Sequence, residues 1–313
     1  MLRIVLRRLL WSVPLVLVAT SLSFVLIALV PGDAARAILG PTASAAQEHV
    51  LQVQLGLDKP LLTQYADWIG GAVQGDLGSS IFTGQSVTTE LNQHLEVTLS
   101  LLILGTLASA VLGVALGVAG AVRGGVMGRA VDVLSLAGLA IPSFWLALVL
   151  TAVFAVGLRL FPVVGYVSIG DDPLRWAQSL VLPVAALALG SSTVIAKQTR
   201  DSLRQVLDQD FVRTLRANGF SRRSVLYRHA LRNAGIPVLT VIGVVFVSLI
   251  GGSVFVEQVF AMPGLGSQAV EATTQHNLPL IQGVVVYFTL LVVAVNLLTD
   301  LCYAALDPRV RTG

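Results

Sequence analysis

The sequence predicts an all-α integral membrane protein of about six spanning helices, on three observations. Of its 313 residues 55% are hydrophobic and only 12% charged, and the mean hydropathy is +0.82, well beyond an ordinary soluble chain. The apolar residues fall in separate runs of about 20, the length that crosses a bilayer core as a helix. The basic residues are sorted between the connecting segments, as membrane insertion sorts them.

Taken in order, the spans are expected at 9–30, 97–121, 133–158, 178–199, 238–260 and 281–303, each rich in Leu, Val, Ala and Ile. The first follows Arg3, Arg7 and Arg8, and its 22 apolar or small residues exceed the apolar core of a cleaved signal, so it reads as a retained span. The connection 31–96 is too long for a turn. It holds the Pro-started stretch PLLTQYADWIGGAVQ, in which Leu61, Leu62, Tyr65, Trp68, Ile69 and Val73 recur at helical spacing, an amphipathic helix able to cap the bundle. In the second span Gly105, Ser109, Gly113 and Gly117 put a small residue at every fourth position. Such a stripe lets a neighbouring helix come close, although Gly and Ala are also simply common in membrane helices. The fourth span passes without a Gly or Pro stop into KQTRDSLRQVLDQDFVRTLRANG, so its helix continues beyond the bilayer, and Pro237 opens the fifth. The chain thus divides into an amino-terminal tail and first span (1–30), an external loop or cap (31–96) and a core (97–313) with the long connection 200–237.

Orientation follows from counting Lys and Arg, which cytoplasmic loops retain. The amino end carries three, the 123–129 loop two, the stretch 197–232 nine and the carboxyl end two (Arg309, Arg311), while the alternate loops hold only Arg36, Lys59, Arg159 and Arg175. Both termini and the 200–237 connection are therefore expected in the cytoplasm. The formal charge of +3 reflects this sorting, and no nucleic-acid partner is expected of so apolar a chain.

Several chemistries lack their residues. The only lysines, Lys59 and Lys197, follow no phosphate-cradling glycine pattern, so ATP chemistry belongs to another chain. His49, His94, His229 and His276 are scattered without ligand spacing, Cys302 is the single cysteine, and neither HExxH nor GxSxG occurs. No catalytic residue, bound cofactor or metal is expected here. Glu257, at the external end of the fifth span, is an expensive place for a charge unless it meets water, a partner or a pathway. It reads as a gate or docking residue or as a snorkelled boundary residue, with Pro263, Gly264 and Gly266 forming a shaped turn beside it. Asp132 and Asp300 read as interfacial.

The most informative stretch is DFVRTLRANGFSRRSVLYRHALRNAGIP. Phe211, Thr214 or Leu215, and Asn218 can face one side of a short helix with Arg213 and Arg216 elsewhere, and Gly219 permits a left-handed exit. Ser221 can cap a second helix whose Val225, Leu226, Ala230 and Leu231 make an apolar surface beside Arg222, Arg223, Arg228 and Arg232. The residues alone leave two readings: a knob that seats in a partner's groove, or a basic hairpin that holds topology.

This stretch resembles the EAA-type cytoplasmic loop of type I ABC importer permeases, specifically the dipeptide, oligopeptide and nickel branch. The resemblance extends to LGLDKPLLTQYADWIGGAVQGDLGSS, LFPVVGY and VFVEQVFAMPGLGSQAVEA, and the amino end LRRLLWSVPLVLVATSLSFVLIALVPGD is similar to the first of that family's two permeases. It implies the type I permease fold and a coupling helix that sits in a cleft of an ATPase. Arg213, Thr214 and Leu215 then occupy the EAA triplet, with Leu215 in place of the usual alanine, and Gly219 the motif glycine. Arg232 stands where the wider superfamily has proline, as is typical of the peptide and nickel branch. Ala217, Asn218, Phe220, Arg228, His229 and Arg232 complete the coupling loop by the same resemblance. The implied assembly is a second homologous permease, two ATP-binding-cassette subunits carrying the ATP and Mg, and an extracytoplasmic substrate-binding protein, in the bacterial inner membrane. The implied cargo is di- or oligopeptides, with nickel or another small solute the alternative within the family and a channel or membrane enzyme the alternatives outside it.

Overall fold

The computed structural model describes residues 2–306 apart from 31, 33 and 41; Arg309 and Arg311 lie outside the described residues. The first apolar run is α1 (Leu2–Leu29), and the external connection holds α2 (Ala34–Leu39), α3 (Ala45–Gln54) and α4 (Leu61–Val73). There follow α5 (Val87–Arg123), α6 (Gly125–Ala140), and α7 (Ser143–Leu150), which ends in π-helical turns over Thr151–Gly157. Next come α8 (Pro173–Leu207), α9 (Asp210–Ala217) and α10 (Arg222–Ser224), the last running through π-helical turns over Val225–Ala230 into α11 (Leu231–Val259). Helices α12 (Leu265–Thr274) and α13 (Leu278–Leu306) end the fold.

Five of the described helices are long and apolar enough to cross a bilayer, and a sixth crossing exists if the bent pair α6 and α7 counts as one. The expected continuous third span is therefore corrected: it breaks by 99° between α6 and α7. The cause is local. Ile141 is extended (ψ 117) because the ring of Pro142 disfavours the helical region for the residue before it. The fifth span is also longer than expected. Its helix runs unbroken from Arg222 to Val259, so Pro237 lies inside it and does not open it. A proline there costs one backbone hydrogen bond, which a long packed helix tolerates. By contrast α8 does continue past 199, to Leu207, as its missing stop signal predicts. It starts where Asp172 accepts from the N–H groups of Leu174 and Arg175, with Pro173 at the first helical position, the arrangement a helix start favours.

The chain forms two compact units. Leu99–Met262 makes the body of the first, joined by the carboxyl-terminal part of α13. At its centre is α8, whose Leu180, Leu187, Ile195 and Leu203 are fully buried against α6, α7 and α11. The same face of α8 receives α5: a Cβ on Gly113 would lie 2.6 Å from Ile195 Cβ, and one on Gly117 2.5 Å from the Ala196 carbonyl oxygen.

The second unit comprises Val5–Thr98 and Pro263–Ala294, so it contains the whole of the expected 31–96 segment together with most of the first span. Val87, Leu91, Leu265, Leu280 and Val284 form its core. On α4 only half of the predicted apolar stripe is used. Tyr65, Trp68 and Ile69 are half-buried, whereas Leu62 and Val73 are each 83% exposed. Tyr65 pins the helix to α1: its hydroxyl lies 2.9 Å from Thr20 Oγ1, accepts from Ser21 Oγ at 2.7 Å and reaches the Leu17 carbonyl at 3.1 Å. Buried Asn277 donates to Ser80 Oγ at 2.8 Å, holding the turn before α5.

Candidate functional site

The 208–230 segment forms a knob at the end of α8. Asp208 caps α8 through its N–H to the Arg204 carbonyl, and Gln209, in extended conformation, starts α9. Asp210 in the first turn suits the positive end of the helix dipole and pairs with Arg213 at 3.3 Å. The exit is a Schellman turn: Gly219 N–H donates to the Arg216 carbonyl at 3.0 Å and Phe220 N–H to the Leu215 carbonyl at 3.1 Å. Gly219 holds φ +83, the left-handed region where a side chain is strained. Ser221 then caps α10, its hydroxyl accepting from Ser224 N–H at 3.3 Å.

A small core fixes the knob to the helix ends. Leu203, Val206, Ala230 and Ala234 are buried together, with Phe211, Leu207 and Leu226 packed against them. Val212 and Val225 are also fully buried. The inward face of α9 is thus Phe211, Val212 and Leu215, not the expected Phe211, Thr214 or Leu215, and Asn218. Thr214 and Asn218 are exposed. The difference arises because Asn218 is the cap residue, outside the helical repeat, so the stripe is shorter and turns toward Val212. The apolar pair Phe211–Val212 was the available signal.

What remains outside is Arg213, Thr214, Arg216, Ala217, Asn218, Gly219, Phe220, Arg222 and Arg223. Phe220 is 45% exposed and stands edge-on to the His229 ring at 5.8 Å. Arg228 and Arg232 are exposed along the following helix. Among the described residues only Arg213 of these arginines meets a carboxylate. The surface is therefore a cationic rim around exposed aromatic side chains, Phe220 and Tyr227, a composition suited to a groove in a protein partner.

The remaining predicted residues fall elsewhere. Gly105, Ser109, Gly113 and Gly117 line the α5 face toward α8, Ser109 being fully buried with its hydroxyl on the Gly105 carbonyl at 2.6 Å. Glu257 is completely buried, which excludes the snorkelled boundary reading. In the turn that follows, the left-handed residue is Ala261 (φ 47), while Gly264 has an ordinary φ of −107 as the cap of α12. Within the second unit, His94 Nδ1–H donates to the Pro263 carbonyl at 2.9 Å. Leu265 N–H donates there to Thr98 Oγ1 at 2.8 Å, and Gly266 is buried in α12.

Residues 109–312 match the family model described as binding-protein-dependent transport system inner membrane component, and residues 1–102 match the model of its N-terminal region. A Brucella abortus chain named for a peptide transport system permease is 41% identical over 309 residues, covering 98% of both chains. The oligopeptide transport system permease of Bacillus subtilis is 37% identical and likewise covers 98% of both. The glutathione transport system permease of Salmonella typhimurium is 39% identical, with 99% of both covered. Among solved structures, a chain of the MetNI methionine ABC transporter in inward-facing conformations superposes with a TM-score of 0.57 at 18% identity. It covers 70% of this chain and 97% of its own length, a likeness of fold.

Proposed function

Since the chain belongs to the family of binding-protein-dependent transport system inner membrane components, we propose that it is the permease subunit that moves di- or oligopeptides inward by ATP-driven alternating access. The peptide cargo rests on the relatives named for peptide, oligopeptide and glutathione transport. We read the assembly as this chain, a second homologous permease, two ATPase subunits that carry ATP and Mg, and an external binding protein that selects the cargo. Both termini and the knob face the cytoplasm in this reading, which follows from the sorting of basic residues.

The observation that carries the coupling role is the knob. Its exposed Arg213, Thr214, Ala217, Asn218 and Phe220 stand on a buried apolar base continuous with α8 and α11, so a push on the surface meets packed side chains. Closure of two ATPases around such knobs is transmitted through rigid helices to the pathway, which opens alternately to either side. Gly219 shapes the tip, and any Cβ there meets nothing within 4 Å. A substitution thus acts through backbone strain, redirecting the exit of α9.

The test is a detergent pull-down of the tagged chain from its native membrane with an ATPase assay, alongside Gly219→Val. Co-elution of a second permease and two ATPases, with coupling lost in the variant, is the expected result. A chain that elutes alone without ATPase activity, or a variant with transport and coupling intact, removes this reading.

A further inference from the structure

Two arginines one turn apart on α8 are directed at the hairpin that joins α5 to α6. Arg200, only 8% exposed, pairs with Asp132 of α6, and Lys197 stands 3.7 Å from the same carboxylate. Arg204 Nη2 donates to the Gly120 carbonyl at the end of α5, 3.3 Å away. The hairpin is shaped to receive it. Gly124 and Gly125 take left-handed conformations (φ 59 and 46), and a Cβ on Gly128 would lie 2.7 Å from that same guanidinium nitrogen. A Cβ on Gly120 would meet Arg200 Cδ at 3.3 Å.

Buried charge in a membrane helix is costly even when paired, and packed apolar residues hold helices together as well or better. What an ion pair and a directed hydrogen bond add is register: they oppose both sliding and rotation, which apolar contacts permit. The position of the two arginines makes register matter. Arg204 is three residues from the end of α8 at Leu207, after which the knob begins and its first helix starts at Asp210. About one turn after Asp132 on α6, Ser135 Oγ donates to the Thr193 carbonyl at 2.9 Å. Gly138, near the carboxyl end of α6, lines a cavity of about 540 Å³ together with Ser143, Ser191, Ser248 and Gly252.

We propose that Arg200 and Arg204 are positioning residues that clamp the α5–α6 hairpin to α8, so that displacement of the knob carries α6 and the wall of this cavity with it. The clamp rests on the coupling reading of the knob. It locks the first half of α6 to the helix that bears the knob, while the carboxyl end of α6 lines the cavity.

The test uses the assembled complex in proteoliposomes and reads uptake of labelled trialanine per ATP hydrolysed. The variants are Asp132→Asn, Arg200→Gln, Arg204→Gln, the pair Asp132→Asn with Arg200→Gln, and Arg200→Lys. Each neutral variant is expected to assemble and hydrolyse ATP with the uptake ratio reduced at least about fivefold, a coupling free energy of ordinary size. The Asp132 and Arg200 pair is expected to be no worse than either alone, and Arg200→Lys to keep most of the ratio. An unchanged ratio in all variants overturns the clamp, as does failure to assemble in the neutral variants and in Arg200→Lys alike, which marks a purely structural staple. Gly219→Val run in parallel separates the two ideas. Lost coupling there with unchanged clamp variants overturns the clamp alone, whereas intact coupling in Gly219→Val removes the knob reading and the clamp with it.

Discussion

Gly105, Gly113 and Gly117 share one stripe of α5 but not one environment. A Cβ on Gly105 would sit 3.5 Å from its nearest neighbours, Leu187 and Leu249, an ordinary contact. On Gly113 it would lie 2.7 Å from the Ser192 carbonyl oxygen, and on Gly117 2.5 Å from that of Ala196, atoms that move only if α8 moves. Gly105→Ala is therefore expected to leave thermal stability in detergent unchanged. Gly113→Ala and Gly117→Ala each lose about 1–3 kcal/mol, the usual cost of overpacking. Equal melting temperatures for all three would contradict the close approach. The spacing of four was legible in the sequence, but which glycine bears the contact depends on where the partner backbone lies. At the knob, Phe220→Ala removes the aromatic side chain beside the exposed tip at Gly219. It is expected to weaken co-purification of the ATPase more than Thr214→Ala does, because buried aromatic anchors dominate interface energy.

At the scale of elements, the helices read from apolar runs were legible because each run is long, and their ends were less so. Val87 begins α5 ten residues before the expected 97, since a helix that satisfies its own backbone need not end at the bilayer surface. The break at Pro142 and the unbroken helix through Pro237 show the limit of reading proline alone. One falls where the preceding residue is free to extend, the other where Ala234 and Val238 are buried on either side of it and hold the helix together. On α4, the sequence offered a stripe of six apolar residues, and the fold half-buries three of them, with Tyr65 meeting α1. Tyr65→Phe keeps the ring, edge-on to Phe24 at 5.3 Å, and deletes the hydroxyl bonds to Thr20 and Ser21. Its expected cost is about 0.6–1.7 kcal/mol, the range for a polar bond between membrane helices, measured by unfolding in detergent. No loss at all would mean that the polar seam is not formed in the membrane.

For the whole molecule, the sorted arginines and lysines predict a topology that can be checked directly. With the exposed Cys302 replaced by serine, a cysteine at His49 is expected to react with a membrane-impermeant maleimide in spheroplasts. A cysteine at Arg216 is expected to react only after the membrane is opened. The reverse pattern would place the knob outside and overturn the proposed coupling to an ATPase. The sequence by itself determined the membrane class, the places of the apolar runs, their orientation as an expectation and the location of the knob. These depend on the length of apolar runs, on charge sorting and on short-range turn chemistry such as Gly219 and Ser221, all of which act along the chain. Only the tertiary structure decided that Val212 and not Asn218 faces the knob's core, that Glu257 is buried, and that Arg200 and Arg204 reach the α5–α6 hairpin. Each of these depends on which backbone a side chain meets across a helix interface. Residues 120, 132 and 200 come together through packing geometry, and no local spacing encodes it.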